Sequence, residues 1–293
     1  MKISIIGAGR LGGALAIALS KKGGEIENLA GRTLEKAERI AGLIEPPPQI
    51  ILADDFSDIV SDVILITTQD SEIESVVRRL TEKLSHQPFV FHTSGALSSE
   101  ILKNLKDIGC RIGSLHPLVS VSDSVLGAEK FAGAYFCVEG DAEAVTVGGE
   151  IVRTLGGNAF SIETKFKTLY HASAVTACGH LIALIDTAVE MLTKCGLNEK
   201  DAQKVLLPLI KSTVENLETQ STAQSLTGTF ARADVSTFEK HLETLWENVP
   251  KEILEIYLQL GMRSVPLAEK QGANPVNLAK ISDELLMAKK NLK

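Results

Sequence analysis

Met1-Lys2-Ile3-Ser4-Ile5-Ile6-Gly7-Ala8-Gly9-Arg10-Leu11-Gly12 opens the chain, and the rest is organised around it. Lys2 to Ile6 is a short apolar, β-branched run of the kind that forms a strand buried on both faces of a parallel sheet. Gly7, Gly9 and Gly12 follow at G-x-G-x-x-G spacing, and Gly13 to Leu19 reads as a helix. Each glycine has its own task. Gly7 makes the strand-to-helix turn, Gly9 lets a pyrophosphate come against the backbone, and Gly12 lets the helix sit close to the sheet. Free N–H groups and the dipole at the helix start hold phosphates. In this strand–turn–helix context the pattern predicts dinucleotide binding by Gly7, Ala8, Gly9, Arg10, Leu11 and Gly12. The alternative is a glycine-rich turn that binds nothing.

At 293 residues the chain can hold two domains and an ample core. A hydrophobic fraction of 44% is ordinary for a soluble protein, and a net charge of −7 offers no basic footprint to nucleic acid. The longest apolar run, Ala172 to Ile185, is interrupted by His180 and falls short of a bilayer span, so no membrane partner is expected. A strand starts almost at once, without signal-peptide architecture. Cys110, Cys137, Cys178 and Cys195 are scattered with no C-x-x-C pair, and read as reduced, mostly buried thiols of a cytoplasmic protein. Cys178 and His180 stand two apart, on different faces of a helix, and no metal site is expected.

Ile26 to Ala30 is the second strand, ending at Gly31-Arg32-Thr33. An NAD site carries a carboxylate here for the ribose 2′-hydroxyl. Arg32 stands there instead, and a guanidinium fork suits an adenosine 2′-phosphate, so NADP (NADPH) is expected rather than NAD. The alternative is a solvated surface arginine. Thr33 either adds a hydroxyl or caps the helix from Leu34 to Leu43, which Pro46-Pro47-Pro48 stops. Ile50 to Ala53 and Asp62 to Ile66 are strands. The second ends in Thr67-Thr68-Gln69-Asp70, small polar groups at the sheet's carboxyl edge that can line the nicotinamide ribose. Asp70 or Ser71 is expected to cap the helix from Glu72 to Leu84.

Phe89 to His92 leads into Thr93-Ser94-Gly95, and Cys110 to Leu115 leads into His116-Pro117-Leu118-Val119-Ser120, with a helix from Glu100 to Ile108 between them. Two strands thus deliver His and Ser to one edge. His116, at a strand end before a proline, is the candidate for contacting substrate or nicotinamide. Gly133 to Glu139 and Ala159 to Glu163 are further strands around a helix from Ala142 to Leu155. Beyond about Thr164 strand signals vanish, and the helices are Lys165 to Cys195, Glu199 to Leu217, Val235 to Trp246, Glu252 to Gln271 and Pro275 to Asn291. The expected class is therefore α/β: a Rossmann-type, mostly parallel sheet over residues 1–163, followed by an all-α domain over 164–293.

The first long helix is apolar over much of its length and is expected to be buried in a core or an oligomer interface. Lys167, Tyr170 and His171 share one face of it, and Ala174 and Cys178 continue that stripe with small residues. A lysine and a histidine there need a partner, either a substrate anion or carbonyl, or interdomain hydrogen bonds. His180 falls away from the stripe and is assigned to packing. Leu226 to Asp234 is a polar loop in which Arg232 either clamps a carboxylate or phosphate, pairs with Asp234, or caps a helix. His241 is read as solvated or interfacial.

Five motifs occur in order: Gly7-Ala8-Gly9-Arg10-Leu11-Gly12, Thr93-Ser94-Gly95, Ser114-Leu115-His116-Pro117-Leu118, Tyr170-His171-Ala172 and Thr227-Gly228 to Arg232-Ala233-Asp234. Together they resemble a group of largely uncharacterised Rossmann-like oxidoreductases whose C-terminal half is a domain of unknown function. More distantly the layout is similar to the 6-phosphogluconate dehydrogenase-like superfamily, including β-hydroxyacid dehydrogenases, ketopantoate reductases, pyrroline-5-carboxylate reductases and deazaflavin-dependent NADP oxidoreductases. The resemblance implies an NADP-linked reductase with its site between the halves, dimerising through the helical domain. In β-hydroxyacid dehydrogenases a catalytic lysine precedes an asparagine by four residues; Lys167 and His171 fall at that spacing, with histidine for asparagine. Leu118-Val119-Ser120-Val121 stands where those enzymes carry Ser-Gly-Gly.

The expected activity is hydride transfer between nicotinamide and a small carbonyl or imine substrate. Lys167 is the first candidate proton donor, because burial moves a lysine pKa toward neutrality, with His116 and His171 in reserve. Ser94, Gly95, Ser120, Tyr170 and Arg232 are the candidate substrate contacts. The rival reading is a catalytically silent NADP-binding sensor or interaction module.

Overall fold

The computed structural model describes residues 1–52, 56 and 59–292. Its strands are β1 (Lys2–Ile6), β2 (Glu25–Gly31), β3 (Gln49–Leu52), β4 (Val63–Ile66), β5 (Phe89–His92), β6 (Arg111–Pro117), β7 (Tyr135–Gly140) and β8 (Asn158–Phe160). They form one sheet in the order β3-β2-β1-β4-β5-β6-β7-β8, parallel except that β7 runs against β6. The chain leaves β1 toward β2 and β3, then restarts at β4 on the other side. That reversal leaves a crevice at the carboxyl ends of β1 and β4, where ligands of open α/β sheets bind. Ala53, expected to end β3, lies outside the described residues.

The first half of the chain carries helices α1 (Arg10–Lys21), α2 (Leu34–Ala41), α3 (Asp70–Lys83), α4 (Lys103–Asp107), α5 (Ser124–Ala128) and α6 (Ala142–Thr154). α1 buries Gly12 through Leu19 continuously, as a helix wedged between sheet and neighbours must. Two apolar layers result, one around Ile5, Leu15, Leu29 and Phe136, the other around Ile6, Ile64, Ile73 and Val90. α2 ends at Ala41 with Gly42 as its cap, so the proline run follows the helix and does not stop it. α5 carries no apolar periodicity long enough to be read from sequence. Its N-cap is Asp123, which accepts hydrogen bonds from the N–H groups of Val125 and Leu126.

The remaining helices are α7 (Lys167–Lys194), α8 (Glu199–Asn216), α9 (Gly228–Ala231), α10 (Val235–Asn248), α11 (Lys251–Lys270) and α12 (Pro275–Leu292). The chain divides into two compact units, Met1–Cys178 and Gly179–Lys293. The expected boundary at 163/164 falls earlier, because the first turns of α7 carry side chains bonded to the sheet: Lys167 to Ser114 and Tyr170 to His116. The second unit is centred on Phe238, Leu254, Leu258, Ile281 and Leu285. The island expected as a loop at Leu226 to Asp234 holds the short α9, and Asp234 caps α10.

Of the two settings expected for α7, a core and an oligomer interface, the core fails, since most of its residues are exposed, Leu169 and Ile182 prominently. Thr164–Lys194 is also long and apolar enough to cross a membrane by length and composition, with a mean hydropathy of 1.5 in its most apolar window, so His180 does not break the run. His180 is exposed and does no packing. Cys110 and Cys137 are buried, but Cys178 and Cys195 are exposed.

Candidate functional site

Gly7 follows β1 with φ +121°, a conformation that L side chains resist. Its N–H and that of Ala8 both donate to the Ala30 carbonyl, at 2.9 and 3.0 Å, fixing the turn to β2. A Cβ at Gly12 would collide with the Gly7 carbonyl and the Thr67 hydroxyl, whereas a Cβ at Gly9 would meet nothing within 4 Å. Turn, close packing and open approach thus fall to Gly7, Gly12 and Gly9 respectively. Gly9 is the N-cap of α1 and no side chain caps that helix. The N–H groups of Arg10, Leu11 and Gly12 therefore lack intrahelical acceptors and face the open side of the glycine turn. Such a cradle fits a pyrophosphate.

Arg32 and Thr33 follow β2 and are exposed, and Thr33 makes no side-chain cap on α2. Across the crevice, the Thr67 hydroxyl donates to the carbonyls of Gly7 (2.8 Å) and Ile6 (3.2 Å). Thr67 thus braces the glycine turn with its one hydroxyl proton. The Thr68 hydroxyl is buried without a partner, and Gln69 is exposed at the N-cap of α3. Asp70 does not cap α3: it lies in the first turn and accepts from the Ser94 hydroxyl at 2.8 Å. That hydroxyl also accepts from the N–H groups of Ala96 (3.2 Å) and Leu97 (3.0 Å). One donor and two acceptor sites are all a serine has, so Ser94 is fully committed to its own loop.

Gly95 is buried, and two imidazole rings close over it. A Cβ there would lie 2.5 Å from His171 Cδ2 and 2.7 Å from His116 Nε2. The two imidazoles stand edge to face, centroids 6.0 Å apart at 82°. His116 Nδ1 is 2.6 Å from the Tyr170 hydroxyl, and Tyr170 packs against Phe160. Burial, with help from Lys167 and His171, pushes the His116 pKa down to about 4. Burial likewise raises that of the Tyr170 hydroxyl. His92 beneath is buried and spent, its Nδ1 accepting from the Ser94 N–H and its Nε2 donating to the Ser98 carbonyl.

Lys167 is 1% exposed. Its Nζ donates to Ser114 Oγ at 2.5 Å and lies 4.0 Å from Glu139 Oε1. Glu139 in turn accepts from the Ser99 N–H (2.9 Å) and the hydroxyls of Ser99 (2.8 Å) and Thr164 (3.0 Å). Burial lowers the Lys167 pKa, with Glu139 opposing. The sequence reading gives Glu139 no role and Ser114 only a place at the head of a motif; the signal for Glu139 was a carboxylate ending the otherwise apolar Tyr135-Phe136-Cys137-Val138-Glu139. Ser120 is exposed, and its carbonyl accepts from Lys130. Arg232 belongs to the second unit, exposed as the C-cap of α9, with no ion pair to Asp234 among the described residues. Among the described residues no cluster of metal-ligating side chains forms.

No curated protein matches the chain at a significant level. Among solved structures, a candidate NADP oxidoreductase from Bacteroides fragilis is 22% identical with a TM-score of 0.68, over 92% of this chain and 98% of that one. Protein TM1727 from Thermotoga maritima is also 22% identical, TM-score 0.69, over 96% and 98%. A pyrroline-5-carboxylate reductase from Coxiella burnetii is 15% identical, TM-score 0.59, over 98% and 97%. At these identities the likeness is one of fold. Family models match residues 1–117 as a Rossmann-like domain and residues 134–264 as a domain of unknown function, DUF2520. The chain therefore carries a Rossmann-like domain followed by a DUF2520 domain.

Proposed function

We propose that the protein is an NADP-dependent oxidoreductase acting on a small carbonyl or imine substrate. The observation that carries this reading is the cradle at the switch point, with unbonded N–H groups at Arg10, Leu11 and Gly12 beside open space at Gly9. Neighbouring strands lie roughly 4.8 Å apart, so Arg32 stands one strand to one side of β1 and His116 about 14 Å to the other. That edge would take an extended dinucleotide, with Arg32 placed to hold an adenosine 2′-phosphate. The names of the Bacteroides fragilis and Coxiella burnetii proteins point the same way.

When bound, the nicotinamide supplies or takes up a hydride. The N–H groups of the α1 start would hold the pyrophosphate, and Arg32 would hold the 2′-phosphate. His116 Nε2 is the ring nitrogen beside Gly95 that would meet the substrate, with the His171 ring next to it. Lys167 is not the proton donor in this reading, because its Nζ is buried against Ser114. The exposed apolar side chains of α7 and α8, among them Leu169, Ile182, Val205 and Leu209, suit a second copy of the chain, giving a homodimer through the helical region.

Titration of the full chain with NADPH and NADH, followed by nicotinamide fluorescence and thermal shift, tests the reading. Saturable NADPH binding at least tenfold tighter than NADH supports it, and no binding of either removes it. Oxidation of NADPH with a panel of 2-oxoacids and cyclic imines separates an enzyme from the silent sensor. Light scattering at matched concentrations reads the dimer, and partition into lipid vesicles instead would assign the apolar helix to a bilayer.

A further inference from the structure

We infer that Tyr170 is a positioning residue that acts through His116: by donating its O–H to His116 Nδ1 it keeps the ring proton on Nε2 and presents that N–H over Gly95 to an uncharged carbonyl oxygen of the substrate. This rests on the oxidoreductase reading. The contact Tyr170 Oη to His116 Nδ1 is 2.6 Å, and no other partner of Oη occurs among the described residues. Were Nδ1–H the donor, the half-buried phenol proton would have no acceptor and Nε2 would be a bare lone pair. With Tyr170 donating, every proton on the pair is placed, and the one donor left over, Nε2–H, stands beside buried Gly95 with no partner among the described residues.

Substrate class follows from charge. The groups facing His116 are Tyr170 and His171 from α7, Lys167 from the same helix, and His92 from β5. The cation among them, Lys167, is 1% exposed, hydrogen-bonded to Ser114 and balanced by Glu139, so its charge is not presented at the surface. Burial holds His116 neutral at physiological pH, its pKa pushed down to about 4. What remains over Gly95 is an N–H dipole without net charge. Such a group polarises a carbonyl oxygen and gives a carboxylate little, since an anion needs a cation or several converging donors.

Gly95 makes the arrangement possible, because any Cβ there would enter the space of both rings. His171 Cδ2 lies 2.5 Å from that same point, so the two rings close over Gly95 together.

The test is long-range 1H–15N correlation of the histidine-labelled full chain, with His116→Asn used to assign the ring resonances. A protonated Nε2 and a bare, hydrogen-bonded Nδ1 are expected in the wild type. Tyr170→Phe removes one oxygen; the expected result is loss of the single-tautomer pattern, with NADPH affinity changed less than twofold. An Nδ1–H tautomer in the wild type overturns the inference, as does a Tyr170→Phe spectrum unchanged from wild type. Failure of the wild type to bind NADPH would instead remove the oxidoreductase reading, leaving the tautomer result to stand by itself.

Discussion

Lys167 Nζ lies 4.0 Å from Glu139 Oε1 with both side chains 1% exposed, an ion pair buried where α7 leaves the sheet. Together with Ser114, Ser99 and Thr164 it ties β6, β7 and the start of α7 into one polar knot. Tyr170 and His171 are carried one turn further along the same helix, so the knot sets where they stand.

Removing one member of the pair leaves the other charge buried and uncompensated. Glu139→Leu or Lys167→Leu is expected to destabilise the protein by about 3–5 kcal/mol, and the double replacement by much less than their sum. Denaturant unfolding of the four proteins measures this cycle. Because the folded pKa of Lys167 is lowered, unfolding takes up a proton between that value and its ordinary 10.5, so this group's contribution makes stability rise with pH across that window.

The histidines give the acid limb. His92 is fully buried, with its pKa pushed down to about 4 from 6.5. The unfolded chain binds the extra proton between those values. Stability contributed by neutral His92 is complete above pH 6.5 and is lost as pH falls toward 4, about 3 kcal/mol in all. His116 adds a loss of the same sign over the same range. Thermal melts from pH 8 to 4 should show the fall, and His92→Asn should flatten it; an unchanged slope in that variant would contradict the assignment.

Gly9 and Gly12 separate binding from folding. Gly9→Ala adds a methyl into open space, so stability should stay within about 0.5 kcal/mol while NADPH affinity falls tenfold or more. Gly12→Ala forces a methyl against the Gly7 carbonyl and the Thr67 hydroxyl, and should lower the melting temperature of the ligand-free protein as well.

Arg32 is exposed, so replacing it should leave stability unchanged within about 0.5 kcal/mol. Arg32→Glu is expected to weaken NADPH at least tenfold and to leave NADH equal or tighter. Equal losses for both cofactors would show that Arg32 does not read the 2′-phosphate.

Gly95→Ala should leave NADPH binding intact and cut turnover at least tenfold. Its Cβ would displace His116 and His171, which lie 2.7 and 2.5 Å from that position, without touching the glycine turn after β1.

The alternation of apolar runs with helical stretches was enough to place the parallel strands, because a strand buried on both faces is apolar throughout. The spacing of Gly7, Gly9 and Gly12 likewise announced its own geometry, since backbone conformation and close approach depend on local residue type. Which hydroxyls were free could not be read the same way. Thr67 and Ser94 look like ligand groups in sequence, yet their hydroxyl protons go to Gly7 and to Asp70, partners 60 and 24 residues distant.

The sequence by itself determined the strands, the glycine cradle, and the shared helix face of Lys167, Tyr170 and His171, all set by neighbours within a turn or two. Only the tertiary structure decided how each of those three is buried and bonded. Lys167 is withdrawn against Ser114 and Glu139, while His116 and His171 meet over Gly95. The reason is that burial, and with it charge and proton placement, is settled by groups far apart in the chain that meet only when the sheet assembles.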